Sequence, residues 1–170
     1  YEPDLEPMVL QNMAEGRLSV TSSFKDSVPR SDFVFVCVGT PSGEDGAVDL
    51  SYLRLAYMKV RCSLNGSHPI IVNKSTVPPG TTERLVIPAL AAGAGRALPG
   101  VRVAVNPEFM REGSSLHDFA HPPFVVVGCD QPAALAQLRR IYAEVAAPFI
   151  QTSLRAAEMI KYVSNAFHAL

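Results

Sequence analysis

Residues 32–39 (DFVFVCVG) form an unbroken apolar run of strand length that stops at Gly39-Thr40-Pro41. A run without polar alternation implies burial on both faces, hence a central strand in a parallel sheet. Three further strand-length runs follow. Residues 69–73 (PIIVN) stop before Lys74-Ser75-Thr76, residues 101–105 (VRVAV) stop at Asn106-Pro107, and residues 122–128 (PPFVVVG) stop at a glycine. Helical spacing fills the intervals. Asp49 or Ser51 starts a helix to about residue 64 with Leu53, Ala56, Tyr57, Val60 and Leu64 on one side, and Thr81 or Thr82 caps another to about residue 91. Residues 131–146 are amphipathic, 148–153 make a last short strand, and 154–170 make a long terminal helix. Alternating strands and helices predict an α/β fold, a mostly parallel sheet doubly wound by helices on both faces.

The remaining segments are less regular. Residues 4–16 have a loose helical pattern closed by Gly16, residues 18–21 (LSVT) alternate as a short strand, and Ser23 can cap a brief helix through Val28. Residues 91–100 (AAGAGRALPG) read as a small flexible loop. No Gly-x-Gly-x-x-Gly loop follows any strand.

Bulk properties exclude several classes. A net charge of −1, with 15 Lys and Arg scattered along the chain, argues against a nucleic-acid or anionic-membrane surface. No apolar run approaches the roughly 20 residues of a membrane span. The widely spaced Cys37, Cys62 and Cys129 form neither a disulfide framework nor a zinc pattern, which favours a soluble, cytoplasmic protein. The chain opens on Tyr1 and closes within a helix without a stop signal, as expected of a piece of something longer.

Chemistry is expected at the strand ends. In an open α/β sheet, ligands bind beyond the carboxyl ends of the strands. Thr40, Thr76 and Glu108 follow three such ends, and Glu112 lies four residues after Glu108. Pro107 forbids simple continuation of the strand ladder, so both carboxylates fall just past it. On the terminal helix, Glu158, Lys161, Asn165 and His168 share one face, and Met159, Ile160, Val163, Phe167 and Leu170 the other. A lysine and an amide so placed can stabilise a developing oxyanion. Each feature alone has an ordinary reading: turn chemistry for the threonines, a solvated turn for the glutamates, a solvated helix side for Lys161 and Asn165. His117 and His121 read as loop histidines without further metal ligands, Cys37 as an inert residue inside a buried strand, and Cys129 as an unactivated thiol after a strand.

Four segments taken in order carry a more specific signal: 36–53 (VCVGTPSGEDGAVDLSYL), 74–90 (KSTVPPGTTERLVIPAL), 105–128 (VNPEFMREGSSLHDFAHPPFVVVG) and 157–170 (AEMIKYVSNAFHAL). They resemble the UDP-glucose/GDP-mannose dehydrogenase family of nucleotide-sugar 6-dehydrogenases, as does the opening Tyr1-Glu2-Pro3-Asp4-Leu5, with Asp4 where the family usually has Gly. The resemblance implies a partial Rossmann-like NAD-binding domain over residues 1–150, lacking its first βαβ unit, and over 151–170 the start of the helix that links domains and builds a homodimer. It implies oxidation of a sugar 6-hydroxyl to the uronate in two hydride transfers to NAD, through a thioester on a cysteine, in polysaccharide biosynthesis. Thr40, Thr76 and Glu112 would contact NAD, Thr76 would also place a water with which Glu112 carries out the acid–base steps and the final hydrolysis, and Glu108 would support the site. Glu112, Lys161, Asn165 and His168 would meet the nucleotide-sugar substrate. His168 and Pro122-Pro123-Phe124 lean toward GDP-mannose, whereas Arg111 to Ser114 and Leu116 to Phe119 look at least as much like UDP-glucose enzymes. None of the cysteines lies in the family's nucleophile motif, so the 170 residues alone are expected to be inactive and to expose a sheet edge. The competing expectation is a non-catalytic remnant acting as a binding or dimerisation module through residues 154–170.

Overall fold

The computed structural model describes residues 2–91 and 101–168. The loop expected over residues 91–100 lies outside the described residues from 92 onward. Five strands lie side by side in chain order: β1 (Phe33–Val36), β2 (Ile70–Asn73), β3 (Arg102–Val105), β4 (Val125–Gly128) and β5 (Phe149–Thr152). β1, β2 and β3 are mutually parallel, and β4 is parallel to β5. The two blocks meet antiparallel through the single pair Val105↔Gly128. Direction therefore reverses once, and β4 continues alongside Asn106 and Pro107 rather than beside the body of β3.

Alternation along the strands sends side chains to opposite faces. On one face Val36, Ile71 and Val103 meet Leu53, Tyr57 and Val60 of α3 (Ser51–Ser63) and Leu90 of α4 (Ile87–Ala91, numbered after α3). On the other, Ile70, Val72 and Ala104 meet Ala134, Leu135 and Leu138 of the helix Pro132–Ile141. Helices thus cover both faces, as the sequence predicts. A third cluster joins Val105 and Val126 to Leu154 and Ala157 of the helix Leu154–His168. With α1 (Leu5–Ala14), α2 (Phe24–Ser27) and α5 (Ser115–Ala120), these last two helices are α6 and α7.

Several local expectations differ from the structure. Residues 18–21 form no strand, and Val20 is 80% exposed; an extended segment without a ladder partner leaves its backbone groups to water. The run 33–38 is not central among the described strands. β1 is an edge strand, and Cys37 lies exposed just past its end rather than inside a buried strand. His117 lies on α5 and stacks on His121 at 4.9 Å between ring centroids. α6 stops at Ile141, where Tyr142 turns its hydroxyl toward Asn106.

The second surprise is at Thr81 and Thr82, neither of which caps its helix. The chain there makes a wide π turn over Thr82–Val86 before α4, and Thr81 Oγ1 donates to Pro78 O instead. The cap comes from α7: Glu158 accepts the backbone N–H of Gly80 at 2.5 Å and of Thr82 at 2.8 Å. Gly80 sits at φ +86°, a conformation that favours glycine in this turn.

Candidate active site

The parallel order of β1, β2 and β3 brings their carboxyl ends to one edge, where the turns are stitched together. Thr40 Oγ1 donates to Thr76 O at 2.7 Å. Ser75 Oγ accepts from Val38 N at 2.9 Å and donates to Val38 O at 2.8 Å. Beneath them, buried Asn73 accepts from the Tyr57 hydroxyl at 3.1 Å and donates to Ser75 O at 3.2 Å. Burial drives the Tyr57 hydroxyl far above its ordinary pKa, so it stays a neutral donor.

β3 ends at an amide. Asn106 Nδ2 donates to Val126 O at 2.8 Å, tying this turn to β4, while its Oδ1 accepts from Lys74 Nζ at 3.2 Å and from the Tyr142 hydroxyl. Burial pushes the Tyr142 hydroxyl up to about 12. Beyond Pro107, Glu108 Oε2 accepts from Met110 N at 2.7 Å and Glu108 Oε1 faces Lys161 Nζ at 3.2 Å. The Lys161 ammonium also lies 5.3 Å from the Phe109 ring centroid. Lys74, Asn106, Glu108, Phe109 and Tyr142 line a recess of about 40 Å³. Burial lowers the Lys74 pKa, opposed by neighbouring Cys37 and Glu108 and reinforced by the positive charge of Lys161.

Lys161 reaches this edge because α7 is turned opposite to its amphipathic pattern. Glu158 and Lys161 are 2% and 6% exposed, whereas Met159, Val163 and Phe167 are 48%, 57% and 75% exposed. The polar stripe is buried here because it has partners: Gly80 and Thr82 for Glu158, Glu108 and Phe109 for Lys161. The expected solvated side is correct only for the later turns, where Asn165 and His168 are exposed. Gly128 permits the close approach of this helix; a Cβ there would lie 2.6 Å from Ser153 O and 2.8 Å from Ala157 Cβ.

Glu112 lies on the following loop, exposed and without a side-chain partner among the described residues. The loop around it is held by carboxylates. Asp118 accepts from Arg111 N at 2.9 Å, from the Arg111 guanidinium and from Ser114 Oγ at 3.1 Å, and Glu2 accepts from Gly113 N at 2.8 Å and Ser115 N at 3.1 Å. The Arg111 guanidinium holds the Asp118 carboxyl well below the usual carboxylate range, and the Gly113 N–H lowers Glu2.

The structure therefore brings together Thr40 with Thr76, and Glu108 with Lys161, while Glu112, Asn165 and His168 stand free toward solvent. Sequence reasoning missed Lys74, Asn106 and Tyr142. Lys74 carried a signal, a lone charge closing an apolar strand; Tyr142 carried none, since its role depends on where α6 stops. Cys37 lies near Lys74, and although its side chain reaches solvent, surrounding protein raises its pKa. Among the described residues no group of His, Cys, Asp and Glu could hold a metal ion, and no helix is long and apolar enough to cross a membrane.

An open groove of about 430 Å³ lies beside the end of β1, lined by Phe24, Val38, Gly39, Tyr52, Leu55 and Ala56 among others. A Cβ built on Gly39 meets nothing within 4 Å, so the backbone there is open to the groove.

Comparison with known proteins gives one consistent result. Residues 1–146 match the family model described as the UDP-glucose/GDP-mannose dehydrogenase family, NAD binding domain. The chain is 40% identical to GDP-mannose 6-dehydrogenase of Pseudomonas putida over 99% of its length, and 38% identical to UDP-glucose 6-dehydrogenase TuaD of Bacillus subtilis. It covers only 39% and 36% of those two proteins. Its structure superposes on a ternary complex of GDP-mannose dehydrogenase from Pseudomonas aeruginosa with a TM-score of 0.95 at 38% identity, covering 99% of this chain and 39% of that one. For a UDP-glucose dehydrogenase from Pyrobaculum islandicum the TM-score is 0.88 at 42% identity, with 98% and 39% covered.

Proposed function

The chain belongs to the UDP-glucose/GDP-mannose dehydrogenase family, and from that premise we propose that it is the NAD-side portion of a nucleotide-sugar 6-dehydrogenase that oxidises the 6-hydroxyl of UDP-glucose or GDP-mannose to the uronate. The observation that carries this reading is the Glu108–Lys161 pair, 3.2 Å apart at the same sheet edge as Thr40 and Thr76.

The residues present fit the cofactor. The groove beside β1 is lined mainly by apolar and aromatic side chains, with Lys59 beside them, which suits the flat face of a nucleotide base, and Gly39 lets a ligand approach the backbone. Thr40 and Thr76 are small enough to sit against the ligand. When bound, NAD supplies the hydride acceptor.

The protein side chains then manage protons and charge. Hydride leaves a carbinol carbon readily only as the hydroxyl proton is removed. Glu112, committed to no partner, can take that proton through a water held with Thr76. Glu108 fixes the Lys161 ammonium, and Lys161 with Asn165, four residues further along the helix, stabilises the substrate oxygen as negative charge develops. His168 extends the same face toward the nucleotide sugar. Passage from aldehyde to acid through a cysteine thioester requires a nucleophile outside the motifs of this chain, so we expect no turnover from these 170 residues alone.

Chemical-shift mapping on the 170-residue protein tests the reading. NAD⁺ should shift resonances of Gly39, Thr40, Leu55 and Thr76, and UDP-glucose or GDP-mannose those of Lys161, Asn165 and His168, with no NADH formed. An absence of shifts at Thr40 and Thr76 at millimolar NAD⁺ would refute it. The exposed Met159, Val163 and Phe167 favour a second reading, a self-association module; under it the protein associates through α7 and NAD⁺ leaves the spectrum unchanged.

A further inference from the structure

The rotation of α7 is set only in part by its apolar residues. Leu154 and Ala157 are buried in its first turns and Ile160 packs against the same cluster, but Met159, Val163 and Phe167 face outward, so the apolar residues do not all share the buried side. Polar contacts add to that packing on the same side of the helix. Arg155 pairs with Glu83, but that pair is exposed to solvent and is a weak constraint. Glu158 is different in kind. Its carboxylate is buried and accepts two backbone N–H bonds, from Gly80 at 2.5 Å and Thr82 at 2.8 Å, in the turn that follows Thr76. Rotating α7 by one residue, about 100°, would carry that carboxylate away from the turn and leave the two N–H groups it now satisfies without their acceptor.

Lys161 lies three residues after Glu158 and therefore on the same helix face. Whatever fixes Glu158 fixes Lys161. We propose that Glu158 is a positioning residue that locks the rotation of α7 so that Lys161 meets Glu108, joining the Thr76 turn and the Lys161 helix into one rigid unit. Its functional meaning rests on the reading of Lys161 as the group that stabilises the substrate oxygen. The arrangement itself requires neither cofactor nor substrate. Gly128 makes the lock possible, because without a side chain there the helix lies close enough to β4 for Glu158 to reach the Gly80 turn.

Lysine acetylation with acetic anhydride, read by mass spectrometry, tests this on the 170-residue protein. The lysines are Lys25, Lys59, Lys74 and Lys161. Lys25 and Lys59 are exposed references, half-buried Lys74 reports whether the sheet edge stays folded, and buried Lys161 reports the lock. In the wild type Lys161 should react at least about 10-fold more slowly than Lys25. Glu158→Leu should bring Lys161 to within about 3-fold of Lys25 while Lys74 stays slow. Glu158→Gln keeps one acceptor oxygen and should give an intermediate rate, with the Gly80 and Thr82 amide resonances shifted. If the leucine variant unfolds, Lys74 accelerates too and the glutamine variant decides. Lys161 remaining slow in a folded variant, with Gly80 and Thr82 perturbed, overturns the proposal. Because no ligand is used, that result leaves the dehydrogenase reading intact, and an absence of NAD⁺ shifts in the wild type would leave the lock intact.

Discussion

Replacing Gly128 by alanine separates the close approach of α7 from its other contacts. The new Cβ would lie 2.6 Å from Ser153 O, 2.8 Å from Ala157 Cβ and 3.0 Å from Leu154 Cα, all parts of the chain that cannot swing aside. Ordinary contact begins near 3.4 Å, so α7 must retreat by about 0.8 Å at Ser153. Overpacking of this kind costs about 1–3 kcal/mol. The same retreat draws Glu158 away from the Thr82 N–H, now at 2.8 Å, and losing that one charge-assisted bond costs about 1.5–3 kcal/mol. The total of about 2.5–6 kcal/mol corresponds to a fall in thermal midpoint of about 5–24 °C for a domain of this size. Thermal unfolding followed by circular dichroism measures it. A Gly128→Ala protein melting within about 2 °C of wild type would show that α7 is not tightly seated on β4.

Two further outcomes follow from ionisable groups. The Asp118 carboxyl, held down first by the Arg111 guanidinium, titrates below its ordinary value of 3.8 when folded, so its contribution to stability is complete above that value and is lost as pH falls through and below it. Asp118→Asn should therefore flatten the acid limb of stability below about pH 4 and leave the pH 7 to 9 region unchanged in slope, as urea titrations across pH will record. With an aromatic disulfide reagent at pH 7.5, exposed Cys62 should react fastest. Cys37 should lag and gain on it as pH rises, because burial raises its thiol, and Cys129 should react only on unfolding.

The sheet and most helices are legible because their signals are local. Ile70 to Val72 read as a buried strand, and Leu53, Tyr57 and Val60 mark the buried face of α3, whichever neighbours they meet. The likeness to known dehydrogenases is equally legible, since it rests on contiguous segments. What stayed hidden depends on partners distant in the chain. Nothing in residues 80–82 announces that their cap is Glu158, and nothing in residues 154–168 says that the polar stripe faces inward. Periodicity identifies two faces of a helix but not which one has partners waiting. The edge position of β1 was equally illegible, because an apolar run reads the same wherever it lies in a sheet. In the candidate site, Thr40, Thr76, Glu108 and Lys161 were visible as strand-end and helix-face residues. Lys74 was marked only as a lone charge closing an apolar strand and Tyr142 not at all, since what recruits them is the side chain of Asn106.

The cap on the Gly80 turn also sets a timetable for assembly. Gly80 and Glu158 are 78 residues apart, so a ribosome adding about 5–20 residues per second delivers the acceptor about 4–16 s after the donors. Throughout that interval the N–H groups of Gly80 and Thr82 have only water to bond, although β1 and β2 can already pair below them. The edge that carries Thr40 and Thr76 is thus synthesised early and completed late. Its final geometry waits on a helix at the far end of these 170 residues.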